Sequence, residues 1–341
     1  MWKIRRRHLL SGNVDHSFLI PLASWHIQSS ELTPCAGPVI SRPGFDVNSW
    51  YSAQVPTTVL AALVSHGEYP NAYLGTHLKD IPPQRFTSPW WYRAEFDPNH
   101  TGPDQTVLLE FDGINYAANV WLNGQRIGKA ADVRGAFRRF QFDVSRQVRQ
   151  GSSALAVEGT GPRPGDFSTG FVDWNPPPPD RNMGLFRPVR LRRCKRVSIE
   201  HPGVQADLDP AAWDRAHLTV SVELANHADS PVHGTLSANI ESIVVEQDVH
   251  LAPGERREVI FAPQAYPALS LEQPRLWWPH DLGKPALYEL HVAFRSEEEV
   301  ADACSVMFGI RHVEDYANQQ GHRGYRINGQ DVLIKAGGWT D

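Results

Sequence analysis

The segment Gly170-Phe171-Val172-Asp173-Trp174-Asn175 runs into four prolines, Pro176 to Pro179, and then into Asp180-Arg181-Asn182-Met183-Gly184. Consecutive prolines hold a backbone extended and leave it little freedom to lose. Such a stretch can present Asp173, Trp174 and Asn175 stiffly. A carboxylate beside an amide accepts and donates hydrogen bonds to vicinal hydroxyls, while an indole covers an apolar face, and together they suit a sugar site. The same residues also fit a proline-stiffened surface loop whose Asp caps a turn. The residues alone leave both readings open.

Glycoside hydrolysis usually needs two carboxylates about 5 to 9.5 Å apart, one of them a tuned acid. Asp166, Asp173 and Asp180 share this loop, but nothing in the sequence marks any of them as a buried acid. No catalytic residue is therefore assigned in this chain. The 15 histidines are dispersed, and no Ser sits in a G-x-S-x-G elbow. Cys35, Cys194 and Cys304 are too few and too scattered for a disulfide framework or a zinc site, so neither a metal nor another cofactor is expected.

The elements that must position the loop are mostly strands. Trp90 to Phe96, Thr106 to Phe111, Ala117 to Leu122, Phe137 to Phe142, Ala154 to Val157 and Leu185 to Arg192 are short, apolar and regularly spaced, with an Asn123-Gly124 hairpin turn among them. That pattern predicts a β-sandwich over residues 18–196. One helix is expected from Thr57 to His66, capped by Thr57, with Leu60, Ala61, Leu63 and Val64 as its apolar face and Gly67 as its stop. A second run of strands follows: His217 to Leu224, Gly234 to Ile240, Val244 to Leu251, Arg256 to Phe261, Ala286 to Phe294 and Ser305 to Gly309. It predicts an immunoglobulin-like sandwich over 197–311, with Glu297-Glu298-Glu299 as a solvated hairpin tip. Trp277-Trp278-Pro279 reads as a pair that anchors a strand entry and packs between domains. Gly324 to Gln330 reads as a strand entering an Asn-Gly turn, and Asp331 to Lys335 as a second, apolar strand opening a further domain over 312–341.

Composition sets the outer bounds. A net charge of -5 with mixed signs gives no footprint for nucleic acid. No apolar run approaches the ~20 residues of a membrane helix. Arg5-Arg6-Arg7 resembles a signal-peptide flank, yet Ser11 to His16 is polar where an apolar stretch should follow. Residues 1–17 are accordingly expected to be a leader without fixed structure, and secreted and cytoplasmic locations both stay open. Eleven Trp suit carbohydrate handling and equally suit sandwich cores.

Eight segments in order resemble glycoside hydrolase family 2, in its β-mannosidase and exo-β-D-glucosaminidase branch. They are Val55 to Leu60, Pro89 to Arg93, Phe111 to Ile114, Val120 to Gly124, Asp173 to Gly184, Leu276 to Pro279, Phe308 to Arg311 and Ile327 to Gly329. The resemblance implies a jelly-roll, galactose-binding-like sandwich, then an immunoglobulin-like sandwich, then a TIM barrel of which this chain holds only the lead-in hairpin and first strand. It implies a retaining glycosidase acting on oligosaccharides of β-linked glucosamine or mannose, whose two catalytic glutamates lie on barrel strands this chain lacks. Asp173 would contact the terminal sugar's hydroxyls with Trp174 and Asn175 beside it, and Trp339, at the end of a barrel strand, would shape the pocket wall. The alternative is a free-standing carbohydrate-binding β-sandwich protein without hydrolase activity.

Overall fold

The computed structural model describes residues 14–16, 19–98, 102, 104–148, 151–169, 177–335 and 337. The chain forms two compact units, one reaching to Arg193 and the other built on Cys194–Gly337 with the strand Val14–His16.

In the first unit, a six-stranded sheet runs in the order Tyr51–Gln54, Ser24–Ser29, Trp90–Phe96, Ser153–Thr160, Ala117–Leu122, Gln125–Gly128. A four-stranded sheet runs Phe140–Asp143, Thr106–Phe111, Val189–Cys194, Leu19–Pro21. Between them lies a core that includes Trp25, Trp90, Tyr92, Phe111 and Leu155. Strand alternation sends Trp90, Tyr92 and Ala94 into this core and turns Trp91 and Arg93 the other way. The opposite face is not left to water. Trp91 packs with Trp121, Ile40 and Trp50 in a second cluster, against which Phe45 and Val47 lie. Arg93 donates from Nε to the Ile40 carbonyl and from Nη2 to the Arg42 carbonyl, 2.8 Å each. The guanidinium thereby fastens the segment over the sheet. Asn123 and Gly124 close their hairpin with φ of 49° and 86°, the left-handed pair a type I′ turn requires.

The expected helix is Val59–Ser65. Thr58, one residue later than expected, caps it by accepting from the Ala61 amide at 3.2 Å. The buried face is Val59, Leu60, Ala62 and Leu63, with Ala61 and Val64 only half-buried.

The second unit is again two sheets around one core. One sheet runs Val14–His16, Glu299–Phe308, Tyr288–Ser296, Val232–Ile240, Ile243–Leu251. Val14–His16 thus lies within the segment read as a leader. The other sheet runs Val197–Leu208, Arg215–Asn226, Arg256–Phe261, with Ser270–Glu272 also paired to Arg215–Asn226. Glu297 and Glu298 form the hairpin tip in left-handed conformation.

A three-stranded sheet, Val313–Ala317, Arg323–Ile327 and Gln330–Asp331, completes this unit. Asn328 is its lock. The buried side chain donates to the Trp277 carbonyl at 3.1 Å and accepts from the His312 amide at 2.9 Å. Trp277 thus anchors the hairpin, with the Arg311 guanidinium 4.3 Å from its ring centroid. The apolar strand expected over Asp331 to Lys335 is shorter than read. Ladder pairing ends at Asp331, and Leu333 and Ile334 are 80% and 54% exposed. Past Asp331 the Val332 amide still donates to the Tyr325 carbonyl at 3.0 Å, and residues 333–335 then leave the ladder.

Candidate functional site

Asp173, Trp174, Asn175 and Trp339 lie outside the described residues. The structure does describe both feet of the loop that carries the first three.

The first foot is held by Asp166. Its carboxylate accepts from the Arg163 amide at 2.8 Å and from the Arg134 guanidinium at 2.9 Å. The amide contact, followed by the Arg134 charge, holds the Asp166 carboxyl below the usual range. Arg134 in turn lies over the Tyr116 ring, 5.3 Å from its centroid. Next to Asp166, the exposed Phe167 meets the exposed Phe137 edge to face, with centroids 5.5 Å apart.

The second foot turns on Asp180, which is only 2% exposed. The sequence carried no mark of this burial. Oδ2 accepts from the Leu60 amide at 2.8 Å and Oδ1 from the Asn182 amide at 3.0 Å. The first bond satisfies an orphan N–H in the first turn of the helix Val59–Ser65, next to the one Thr58 satisfies. Burial raises the Asp180 pKa, and the amide donors act against that rise. With both oxygens engaged by backbone, this carboxylate is a structural cap and not a free acid.

Asn115 completes the clamp. Its side-chain amide donates to the carbonyls of Arg181 and Asn182 at 3.0 and 2.9 Å. Its backbone exchanges hydrogen bonds with Gly184 at 2.9 and 2.7 Å. Arg181 and Asn182 are left-handed, with φ of 49° and 56°, and Gly184 has φ 142°. A Cβ on Gly184 would sit 2.2 Å from the Tyr92 hydroxyl and 2.9 Å from the Thr57 carbonyl oxygen, so only glycine fits. Met183 is fully buried.

The two feet meet. A Cβ built on Gly161 would lie 3.5 Å from Met183 Cβ and 3.8 Å from the Asp180 carbonyl oxygen. The described residues before and after 170–176 thus form a closed base, in which Met183 is buried and Asp180 ties the chain to the helix Val59–Ser65. A base of this kind fixes where the loop starts and ends, which suits polar residues that must meet a ligand in one geometry. Sequence reasoning found the loop and missed Asp180 and Asn115 as its anchors. The available signal was Asn182-Met183-Gly184, since an Asn and a Gly that flank an apolar residue fit left-handed turn positions.

Residues 25–164 match the family model described as the glycosyl hydrolase 2 galactose-binding domain-like, and residues 197–311 match that of glycosyl hydrolases family 2. An exo-β-D-glucosaminidase of Streptomyces avermitilis is 36% identical over 321 residues, covering 94% of this chain and 35% of the relative. A second, from Amycolatopsis orientalis, is 33% identical over 94% of this chain and 30% of its own length. A mannosylglycoprotein endo-β-mannosidase of Lilium longiflorum is 29% identical, covering 85% of this chain and 33% of the relative. The crystal structure of the Amycolatopsis orientalis exo-chitosanase superposes with a TM-score of 0.87 at 31% identity, over 94% of this chain and 37% of that one. The chain thus spans about a third of the length of these relatives. Two family domains in the family's order, with the fold shared across 94% of the chain, lead to one conclusion: the chain belongs to glycoside hydrolase family 2.

Proposed function

We propose that this chain is the N-terminal, non-catalytic part of a retaining exo-glycosidase that removes β-linked glucosamine, or mannose, from the non-reducing end of an oligosaccharide. The observation that carries the reading is the 36% identity to an exo-β-D-glucosaminidase along 94% of this chain. The domain plan we propose is a sugar-binding-like jelly roll over 18–196, an immunoglobulin-like sandwich over 197–311 and the lead-in to a barrel over 312–341. The nucleophile and the acid/base of a retaining enzyme would be two carboxylates about 5 Å apart, supplied by polypeptide beyond these residues, with no cofactor.

In this reading Asp173 accepts hydrogen bonds from the terminal sugar's hydroxyls, Trp174 and Asn175 complete the contact, and Trp339 forms part of the pocket wall. The closed base at Asp166 and Asp180 supports the role, because a carboxylate that must meet a hydroxyl within hydrogen-bond distance needs a stem that does not wander. The test is Asp173→Ala in the polypeptide that hydrolyses the sugar. The expected result is a large fall in kcat/KM for a β-glucosaminide with an unchanged melting temperature. Unchanged kcat/KM would remove Asp173 from the site.

A further inference from the structure

We propose that His233 and His250 form a two-imidazole site for a divalent transition-metal cation on the open face of the second sandwich. The two residues are directly paired across the hairpin Val232–Ile240 and Ile243–Leu251. Their neighbours Val232, Gly234, Val249 and Leu251 are buried, so alternation turns both histidines outward, and both are exposed. Their ring centroids lie 4.5 Å apart at an interplanar angle of 42°.

Several of the chain's other described histidines are engaged by polar side chains. His291 meets Ser305 and Glu289, His217 meets Ser270, and His227 meets Ser198. Among the described residues, the rings of His233 and His250 have no hydrogen-bond or ion-pair partner. Their ring nitrogens therefore keep a lone pair available in the neutral form, which is the form that ligates.

The spacing fits a shared ion. Imidazole nitrogens bind zinc-like cations at about 2.0–2.1 Å, which places two ligating nitrogens on one ion about 3 Å apart. Centroids 4.5 Å apart match the spacing of two rings that share one ion. The Ile243–Leu251 strand is the sheet's edge, so solvent reaches the pair from the side and water fills the remaining positions. Among the described residues no third His, Cys, Asp or Glu joins the pair as a ligand, so the protein supplies the two imidazoles alone. A bound cation would bridge the edge strand to its neighbour. The site is independent of the sugar-binding reading.

The test titrates Ni²⁺ into the full 341-residue chain at pH 7.5 by calorimetry, with Mg²⁺ as the hard-cation comparison. The expected result is one Ni²⁺ site whose affinity falls at least tenfold in His233→Ala and in His250→Ala. The double variant should bind no more tightly than either single one, and His291→Ala should leave affinity unchanged. His233→Asn and His250→Asn serve as second variants, and far-UV circular dichroism verifies their folds. Wild-type affinity in either single variant, or no Ni²⁺ site in the wild type, would overturn the proposal.

Discussion

Replacing Asp180 with alanine tests the claim that the polar loop rises from a clamped base. Alanine removes the acceptor of two backbone N–H groups, those of Leu60 and Asn182. Each donor is left in a site that is 2% exposed at the carboxylate it loses, and a buried unsatisfied donor costs about 1–3 kcal/mol. Removing a carboxylate whose pKa burial has raised returns part of that, because its ionised form is itself costly there. The net loss is therefore about 2–4 kcal/mol. For a unit of this size that lowers Tm by roughly 4–16 °C. Asp180→Asn keeps one acceptor oxygen and should lose about half as much. The assay is differential scanning calorimetry at fixed pH on the whole chain, following the transition of the unit that contains the loop. An Asp180→Ala protein that melts within about 1 °C of the wild type would refute the clamp, since both hydrogen bonds would then contribute nothing measurable.

Three further outcomes follow from the same contacts. Because burial raises the Asp180 pKa, the folded state holds this proton more tightly than the unfolded chain. The group's contribution is therefore complete below about pH 3.9 and is lost as pH rises through the higher folded value. Urea unfolding should accordingly show Asp180→Asn gaining stability relative to the wild type as pH increases through that window. Gly184→Ala should destabilise by about 3 kcal/mol or more, since its Cβ would lie 2.2 Å from the Tyr92 hydroxyl at φ 142°; chemical denaturation measures it. Asn328→Ala should cost about 2–4 kcal/mol, because the His312 amide loses its acceptor and alanine must hold φ 49°. Amide exchange across Arg323–Ile327 should then accelerate.

The strands were legible because their signals are local. Alternation and Asn-Gly turns announce themselves within ten residues, and both predicted Asn-Gly hairpins close with the expected left-handed pair. The second cover over Trp91 was not legible, because it depends on Ile40 and Trp50 arriving from about 40 to 50 positions upstream in sequence. Asp180 illustrates the same limit at the site. An aspartate after prolines normally faces water, and nothing local reveals that its partner amide stands 120 residues away. Asn115 is similar, at 66 and 67 residues from the carbonyls it holds. The apolar run after Asp331 forms less strand than its composition suggests: it keeps one backbone bond, from Val332 to Tyr325, and then leaves the ladder, because apolar sequence reports a tendency to pair, whereas a strand also needs a neighbour along its length.

The function proposed above has Asp173 contact the terminal sugar of a glycosidase substrate. The most direct measurement is the rate at which the native protein carrying residues 1–341 releases glucosamine from a β-linked glucosamine oligosaccharide, compared between the wild type and Asp173→Ala. The account predicts hydrolysis by the wild type and a fall of at least tenfold in kcat/KM in the variant at matched Tm. Equal rates in the two proteins, or no hydrolysis by the wild type of either glucosamine or mannose β-linked oligosaccharides, would contradict it.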